Sequence, residues 1–291
     1  MNSILFNLSG KIEKPLVDAL YALKDVADSL DISFFVVGAS ARDLILNHCY
    51  GIEPLRKTGD IDLGVQVVNW EQFKELTESL ITTGRFSPTK DTQRFLCGLI
   101  LIDIVPFGPI TGDDKRISWP PEHKIIMSMV GFEEAYEYSV TVRLSSDPEL
   151  DIKVSTLSGL AIMKLISWKE NHPERKRDAG DLLLIMNKYE EAGNSERLYG
   201  EELPLLLEED FDARMAGIRL LGRDMAKICD TQTLRIIKST LDAEIDDQGQ
   251  FKLISHMMRE SSMPEAGFDE ILIRLEKLRQ GIVEVGEKSL K

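Results

Sequence analysis

Phe34–Val67 reads FFVVGASARDLILNHCYGIEPLRKTGDIDLGVQV and contains two strand-like runs. Its first four residues are apolar and have the length of a buried strand, which ends at Gly38 where a helical pattern begins. A second strand-like run carries Asp60 and Asp62 with one isoleucine between them. Because alternate residues of a strand point to the same face, both carboxylates project together. Two like charges this close need cations or hydrogen bonds to compensate them, and we expect a bound cation. A pair of carboxylates solvated at a strand edge stays an alternative, because Thr58-Gly59 directly before them is a turn pattern.

The turn Gly38-Ala39-Ser40 joins the first strand to the following helix. Backbone N–H groups at the start of a helix are free and the helix dipole is positive there, so the turn is suited to bind a phosphate. A structural alternative stays open, because Ser40 with Asp43 three residues later is also the pattern of a capping box. The turn alone does not decide between the two interpretations.

A third acid, Asp103, interrupts the apolar run LILIDIVPF. An unpaired buried carboxylate costs several kcal/mol, so it needs a partner. If its strand lies beside that of Asp60 and Asp62, the three acids converge. Oxygen ligands without histidine or cysteine suit magnesium or manganese. A cation site beside a phosphate-binding turn is the equipment for phosphoryl or nucleotidyl transfer.

The composition is that of a globular protein, with 43% hydrophobic and 29% charged residues among 291. No apolar run approaches the ~18 residues of a membrane span, and the N-terminal residues lack a signal-peptide pattern. The formal net charge of −14 disfavours a nonspecific nucleic-acid binder. Three widely spaced cysteines predict a reducing cytoplasm and no disulfide framework. The acidic run Glu190–Asp212 predicts a solvated segment of helix and loop.

Strand and helix patterns alternate up to Val154, and only helical patterns follow. The sequence therefore predicts an α+β fold with a mixed β-sheet flanked by helices (residues 1–154), followed by an all-helical domain (residues 155–291). Pro106 is expected to stop the strand that carries Asp103, and the Pro- and Gly-rich stretch after it is expected to be a surface excursion. The predicted strands are Ile32–Val37, Ile61–Val68, Leu99–Val105, Tyr138–Leu144 and Leu150–Val154. The predicted helices are Leu16–Leu30, Ala41–Asn47, Trp70–Ile81, Leu157–Trp168, Glu174–Tyr189, Ala213–Ile228, Thr231–Leu241, Phe251–Arg259 and Phe268–Ile282.

Together these motifs resemble the nucleotidyltransferase superfamily of DNA polymerase beta, whose pattern is Gly-Gly/Ser, Asp-x-Asp and a third Asp. The opening VVGASARDLIL is similar to the heads of tRNA CCA-adding enzymes and poly(A) polymerases, with Ala39 at the place of a second glycine. Most of the chain resembles bacterial nucleotidyltransferase-like proteins grouped with abortive-infection toxins. The segments TGDIDL, DIVPFG, LAIMKLISW and RKRDAGDL carry this resemblance.

The resemblance implies a role for each candidate residue. Asp60, Asp62 and Asp103 are the implied catalytic residues and ligands of Mg²⁺ or Mn²⁺. Nucleotide binding is assigned to residues of both domains: Gly38, Ser40, Arg42, Lys57, Lys164, Asp178 and Asp181. Lys164 interrupts an apolar helical stripe, so a snorkelling lysine stays an alternative. For the two aspartates of the helical domain, the alternative is a solvated face.

The implied activity is transfer of a nucleoside monophosphate from a nucleoside triphosphate to a hydroxyl acceptor. The acceptor stays open between tRNA, a protein and a small molecule. A cognate antitoxin is an implied partner, and no membrane is involved. One alternative is a binding module with the same fold but no turnover. A tRNA 3′-end polymerase is a second alternative, disfavoured by the acidic charge.

Overall fold

The computed structural model describes residues 5–53, 58–246, 248–260 and 267–286. The chain divides into two compact units, Met1–Thr156 and Leu157–Lys291. The division falls two residues after the boundary expected from the sequence. The first unit combines a mixed sheet with helices and the second is helical, so the predicted fold class is confirmed.

The strands of the first unit are β1 Leu5–Asn7, β2 Phe34–Val37, β3 Asp60–Gln66, β4 Phe86–Pro88, β5 Arg94–Cys97, β6 Ile100–Phe107, β7 Arg116–Ser118, β8 Ile126–Ser128, β9 Val140–Ser146 and β10 Glu149–Val154. Eight of them form one sheet in the order β1-β9-β10-β2-β3-β6-β5-β4, and β7 and β8 form a separate ribbon. The helices are α1 Lys14–Ser29, α2 Gly38–Asp43, α3 Trp70–Thr82 and α4 Phe132–Glu137. A π-helical turn, Leu44–Cys49, continues α2.

Apolar side chains of the central strands form the core of this unit. Phe35 of β2 and Phe107 of β6 meet edge to face, with ring centroids 5.4 Å apart. Tyr136 of α4 lies 5.4 Å from each of these rings. Ile61 and Leu63 of β3 are buried, as expected for the face opposite the two aspartates. The alternation in β3 therefore places its carboxylates on the face that is not packed into this core.

Strand β6 runs through Pro106 instead of stopping before it, so the predicted strand end is wrong. The Ile104 N–H donates to the Gln93 carbonyl on the β5 side of the strand. The nitrogen of Pro106, two residues on, points to the same side. Because β5 pairs only with Ile100–Asp103, no ladder hydrogen bond is lost there.

The Pro- and Gly-rich stretch after β6 is more ordered than the expected surface excursion. It contains β7 and a buried Trp119. The Trp119 ring lies 5.4 Å from Trp70 and 5.8 Å from Phe73 of α3. These aromatic contacts attach the stretch to the first unit, which the turn residues alone did not indicate.

The second unit consists of helices in the part of the chain that the structure describes. They are α5 Leu157–Asn171, α6 Lys176–Lys188, α7 Ser195–Tyr199, α8 Leu203–Glu208, α9 Ala213–Ile228, α10 Thr231–Ile245, α11 Lys252–Glu260 and α12 Phe268–Gly286. Helices α9 and α12 cross closely. A Cβ added at Gly281 would lie 1.9 Å from the Arg219 carbonyl oxygen, and one at Gly222 would lie 2.2 Å from that of Leu278. Only glycine fits at this crossing.

The acidic run Glu190–Asp212 is not wholly solvated, so this prediction is wrong in part. Glu209 is buried, and its carboxylate lies 2.9 Å from Arg219 of α9 and 2.7 Å from Lys277 of α12. Burying an unpaired carboxylate is costly, but these two cations compensate it. The sequence did not reveal this because the cations come from later helices.

Candidate active site

The turn between β2 and α2 lies directly against the second aspartate of β3. Gly38 has a φ of +64°, a left-handed conformation that favours glycine. A Cβ added there would lie 2.1 Å from Asp62 Oδ2. Asp62 is positioned by antiparallel pairing with Val37, the last residue of β2. Glycine is thus required both by the backbone angle and by the carboxylate beside it.

Ser40 links the two strands through its hydroxyl. The hydroxyl donates to the Val37 carbonyl at 3.0 Å and accepts from the Asp62 N–H at 3.2 Å. The predicted capping box is not formed, because Val37 is the N-cap residue and no side chain caps the helix. Ser40 therefore fixes the turn to β3 rather than capping α2.

The three aspartates lie on one face of two adjacent parallel strands. Asp62 of β3 and Asp103 of β6 are register partners, and Asp60 precedes Asp62 by two residues. All three side chains are part-exposed, between the buried and exposed extremes. The strand register is thus the one that the expected convergence of the three acids requires. The acids line an accessible face instead of a closed interior.

Arg94 of β5 is a charged partner of this face that the sequence analysis missed. Its Nε and Nη2 donate to Asp103 Oδ1 and Oδ2 at 2.7 and 2.6 Å, and its Nη2 lies 4.0 Å from Asp60 Oδ2. The hydrogen bonds to Asp103, with the attraction of Asp103 and Asp60, raise the pKa of Arg94 above its ordinary value. The guanidinium is a fixed positive charge on the acidic face.

A signal for Arg94 does exist in the sequence. Gly98-Leu99 forms a two-residue turn in which Gly98 has a φ of +60°, so Cys97 pairs with Ile100. Counting outward from that turn places Arg94 opposite Asp103, as observed. Strand β5 is only four residues long, too short for its apolar pattern to stand out.

The acidic face fits a divalent cation only in part. Among the described residues, no group of three or more His, Cys, Asp and Glu side chains is arranged to hold a metal ion. Both oxygens of Asp103 are already bonded to Arg94. Asp60 and Asp62 still offer hard oxygen donors on one face. Mg²⁺ often binds to one or two carboxylates and completes its shell with substrate phosphates and water, so this pair fits the ion.

Arg42 and Lys57 were also predicted to contact the phosphates. The side chain of Arg42 is fully buried, and its Nε and Nη2 donate to Asp43 Oδ1 at 2.8 and 2.6 Å. Its charge is already balanced inside the first unit, which speaks against a role at an open phosphate site. Lys57 lies outside the described residues.

Lys164, Asp178 and Asp181 form an ion triad inside the second unit. The Lys164 ammonium lies 2.6 Å from Asp178 Oδ1 and 2.8 Å from Asp181 Oδ2. The exposed fractions of the three side chains are 11%, 6% and 4%. The snorkelling and solvated-face alternatives are therefore both wrong. The i, i+3 spacing on α6 does bring the two carboxylates together, as expected.

The charge of this triad is not fully matched by hydrogen bonds. Burial lowers the pKa of Lys164, but the attraction of Asp178 and Asp181 outweighs burial and holds that pKa above its ordinary value. Asp178 Oδ2 is buried without a hydrogen-bond partner among the described residues. Lys164 is thus a buried ammonium ion between two carboxylates.

A shallow cavity of about 330 Å³ lies elsewhere in the first unit, between the start of α1 and the β9–β10 turn. Lys14, Asp18 and Arg85 are its charged walls, together with Asp147. It includes none of the predicted site residues. We therefore assign the candidate active site to the acidic face and its glycine turn, not to this cavity.

Three solved structures show weak similarity to this chain. An antigenic nucleotidyltransferase-like protein from Paracoccidioides brasiliensis is 17% identical, with a TM-score of 0.40 over 69% of this chain and 92% of that one. ANT(2'')-Ia in complex with adenylyl-2''-tobramycin is 15% identical, with a TM-score of 0.36 over 68% and 98%. A CCA-adding enzyme with ATP is 14% identical, with a TM-score of 0.32 over 96% and 83%.

A mixed sheet with a glycine turn packed on an Asp-x-Asp strand is the arrangement expected of a nucleotidyltransferase. The family model of the nucleotidyl transferase AbiEii toxin, Type IV TA system, matches residues 19–274. The chain belongs to this family and is a nucleotidyltransferase. No curated protein shows significant sequence similarity to it. No helix in the described ranges has the length and apolar character needed to span a membrane.

Proposed function

We propose that the protein transfers a nucleoside monophosphate from a nucleoside triphosphate to a hydroxyl acceptor, using Mg²⁺ or Mn²⁺ bound by Asp60 and Asp62. The observation that carries this proposal is the contact between the Gly38 turn and Asp62. A phosphate at that turn would lie beside the Asp62 carboxylate, and like charges that close repel. Asp60 and Asp62 would hold a divalent cation whose charge offsets this repulsion, and the turn and the acids would then act as one site.

The chain's own residues would position the triphosphate and hold its charge. The Gly38 turn offers backbone N–H groups to the β- and γ-phosphates, and Ser40 keeps that turn fixed against β3. When bound, the cation supplies positive charge that stabilises the transferring phosphoryl group. The acceptor oxygen attacks the α-phosphorus, and the bond from that phosphorus to the bridging oxygen breaks. Pyrophosphate leaves with the electron pair, and the hydroxyl proton passes to solvent.

Asp103 is the third carboxylate that we propose for this site, and it becomes a ligand only when Arg94 releases it. From the second unit we propose Lys164, Asp178 and Asp181 as further residues for nucleotide binding. Their support is the family resemblance alone, because the charge of Lys164 is balanced by Asp178 and Asp181 inside the second unit. We leave Arg42 out of the proposed site because its guanidinium is buried against Asp43.

The net charge and the family of the chain bear on its acceptor and on its regulating partner. The net charge of −14 favours a protein or small-molecule acceptor over nonspecific RNA, while a tRNA held by local contacts stays open. The Type IV TA assignment of the family supports a cognate antitoxin as a partner. We propose the cytoplasm as the compartment, in line with three free cysteines.

The proposal is tested with nucleoside triphosphates labelled at either the α- or the γ-phosphate. Full-length protein, Mg²⁺ and cell extract are incubated with each label, and labelled products are separated by class into RNA, protein and small molecules. We expect transfer from the α-label alone, and we expect Asp60→Asn and Asp62→Asn to abolish it. Asp151→Asn serves as the control, since Asp151 pairs with Arg143 at another place on the same sheet.

The outcomes separate the candidate functions. Transfer of the γ-label would indicate a kinase and would contradict nucleotidyl transfer. Mg²⁺-dependent triphosphate binding without any labelled product in extracts of several bacterial sources would favour the binding module. A labelled RNA, protein or small molecule would identify the acceptor class directly.

A further inference from the structure

Arg94 occupies the place on the acidic face where a cation would meet Asp103. Both guanidinium nitrogens that face Asp103 are within 2.7 Å of its oxygens. The same guanidinium reaches to 4.0 Å from Asp60 Oδ2. It thus carries one positive charge between two of the three carboxylates that the cation would use.

The strand register keeps Arg94 at this position. Arg94 and Asp103 are directly opposed on antiparallel β5 and β6. Two parallel N–H···O bonds between a guanidinium and a carboxylate are among the stronger ion pairs. The Arg94 side chain is 33% exposed and that of Asp103 is 15% exposed, so the pair is only partly screened by water.

We infer that Arg94 is a built-in counter-ion that competes with the divalent cation for Asp103. This inference rests on the proposed function, because it concerns the cation site proposed there. With Arg94 in place, both oxygens of Asp103 are bonded to the guanidinium, and the cation binds weakly unless the phosphates of a nucleotide supply further ligands. Arg94 therefore makes cation binding depend on the nucleotide.

The competition has two physical parts. A bound divalent cation near Asp60 would stand close to the guanidinium, and like charges repel. Asp103 must also lose two hydrogen bonds from Arg94 before it can become a metal ligand. Removing Arg94 relieves the repulsion and frees a third carboxylate. Removing both partners relieves the repulsion but frees no carboxylate, and it leaves the net charge of the site unchanged.

The experiment measures binding of Mn²⁺ alone to the nucleotide-free full chain, by electron paramagnetic resonance or calorimetry. We expect Arg94→Gln to bind Mn²⁺ about tenfold more tightly, the scale expected for one added carboxylate ligand. In the double variant Arg94→Gln/Asp103→Asn we expect the affinity to return to within about threefold of wild type. The gain must disappear with Asp103 if Asp103 is the carboxylate that Arg94 withholds.

A matched control exists on the same sheet. Arg143 Nε and Nη2 donate to Asp151 Oδ1 and Oδ2, each at 2.8 Å, across strands β9 and β10. Arg143→Gln therefore removes a cross-strand arginine of the same geometry without changing the acidic face. We expect no change in Mn²⁺ affinity for this variant. If Arg143→Gln gained as much Mn²⁺ affinity as Arg94→Gln, the loss of one positive charge would explain both gains. This result would overturn the inference.

Two other outcomes would contradict the competition between Arg94 and the cation for Asp103. One is an unchanged Mn²⁺ affinity in folded Arg94→Gln, and the other is an equal gain in the double variant. If Arg94→Gln does not fold, Arg94→Lys provides the test. A lysine keeps the charge but loses the two-bond geometry, so we expect a smaller gain, and no gain contradicts the inference. Asp60→Asn and Asp62→Asn separate the two proposals, because unchanged Mn²⁺·triphosphate binding in both would refute the proposed function itself.

Discussion

Gly38 and Asp62 lie where the turn between β2 and α2 meets the acidic strand β3. This close approach depends on a missing side chain, since an added Cβ would lie 2.1 Å from the carboxylate oxygen. The backbone angle of Gly38 adds a second requirement, because a φ of +64° is costly for other residues. One glycine therefore sets how closely the turn can approach the Asp62 carboxylate.

Gly38→Ala should lower the free energy of unfolding by about 3 kcal/mol, because strain at positive φ adds to a clash with Asp62. Urea denaturation measures the change. Gly84→Ala is the matched control, since Gly84 has a φ of +73° and nothing within 4 Å of an added Cβ. The control should cost only about 1 kcal/mol. Equal losses in the two variants would show that the contact with Asp62 does not contribute.

The buried triad of Lys164, Asp178 and Asp181 joins helices α5 and α6. Lys164→Met should lower the free energy of unfolding by about 3 kcal/mol, because it leaves two buried carboxylates without their cation. Leu165→Met on the same helix is the control, a substitution of similar volume that leaves the charges intact. A loss no larger than that of the control would mean that the ion pairs contribute no net stability.

The triad also predicts a pH dependence. The pKa of Lys164 is raised above its ordinary value of 10.5. Its ion pairs therefore stabilise the fold fully below pH 10.5, and this contribution is lost as the pH rises through the higher folded-state pKa. The stability difference between wild type and Lys164→Met should be constant from neutral pH up to that region and should shrink above it. A difference that grows with rising pH would contradict the raised pKa.

The crossing of α9 and α12 depends on glycines for close backbone approach. Gly281→Ala should lower the free energy of unfolding by about 3 kcal/mol, because its Cβ would lie 1.9 Å from the Arg219 carbonyl oxygen. Gly267→Ala is the control, with nothing within 4 Å of an added Cβ. Thermal unfolding of the two variants compares them. Similar melting temperatures would show that the helices separate to accept the methyl group at little cost.

Long elements with strong patterns were predictable from the sequence, whereas most short strands, apart from β2, were not. Helix α9 has the predicted limits, and β3 lies within one or two residues of them. The four-residue β5 was missed, and with it Arg94, because so short a run carries no clear period. The burial of Glu209 was missed for another reason. Its partners are far along the chain, and sequence spacing does not show which distant helices meet.

The candidate site was predictable to a similar extent. The alternation rule correctly places Asp60 and Asp62 on one face, and the apolar context of Asp103 correctly indicates a strand, which the register places beside β3. The partner of Asp103 was expected to be a cation, but the structure gives it the guanidinium of Arg94. Both are positive charges. The requirement for compensation follows from the sequence, while the identity of the compensating group depends on strand register.

At the scale of the whole molecule, the chain is a strongly acidic member of the AbiEii nucleotidyltransferase family. A surface with a net charge of −14 repels a free triphosphate, so we expect triphosphate binding to depend on the cation that accompanies it. We propose that the Asp60–Asp62 pair couples triphosphate binding to a divalent cation. Triphosphate binding can be measured without knowledge of the acceptor.

The most direct measurement is the melting temperature of the full chain with and without Mg²⁺ and a non-hydrolysable nucleoside triphosphate analogue. Ligand at about 100 times its Kd stabilises a protein by about 2.7 kcal/mol, which should raise the melting temperature of wild type by several degrees. Asp151→Asn should respond as wild type does. Asp62→Asn should show no rise, because the cation has lost one of its two anionic ligands. An Asp62→Asn protein that gains as much as wild type from Mg²⁺ and the triphosphate would contradict the account.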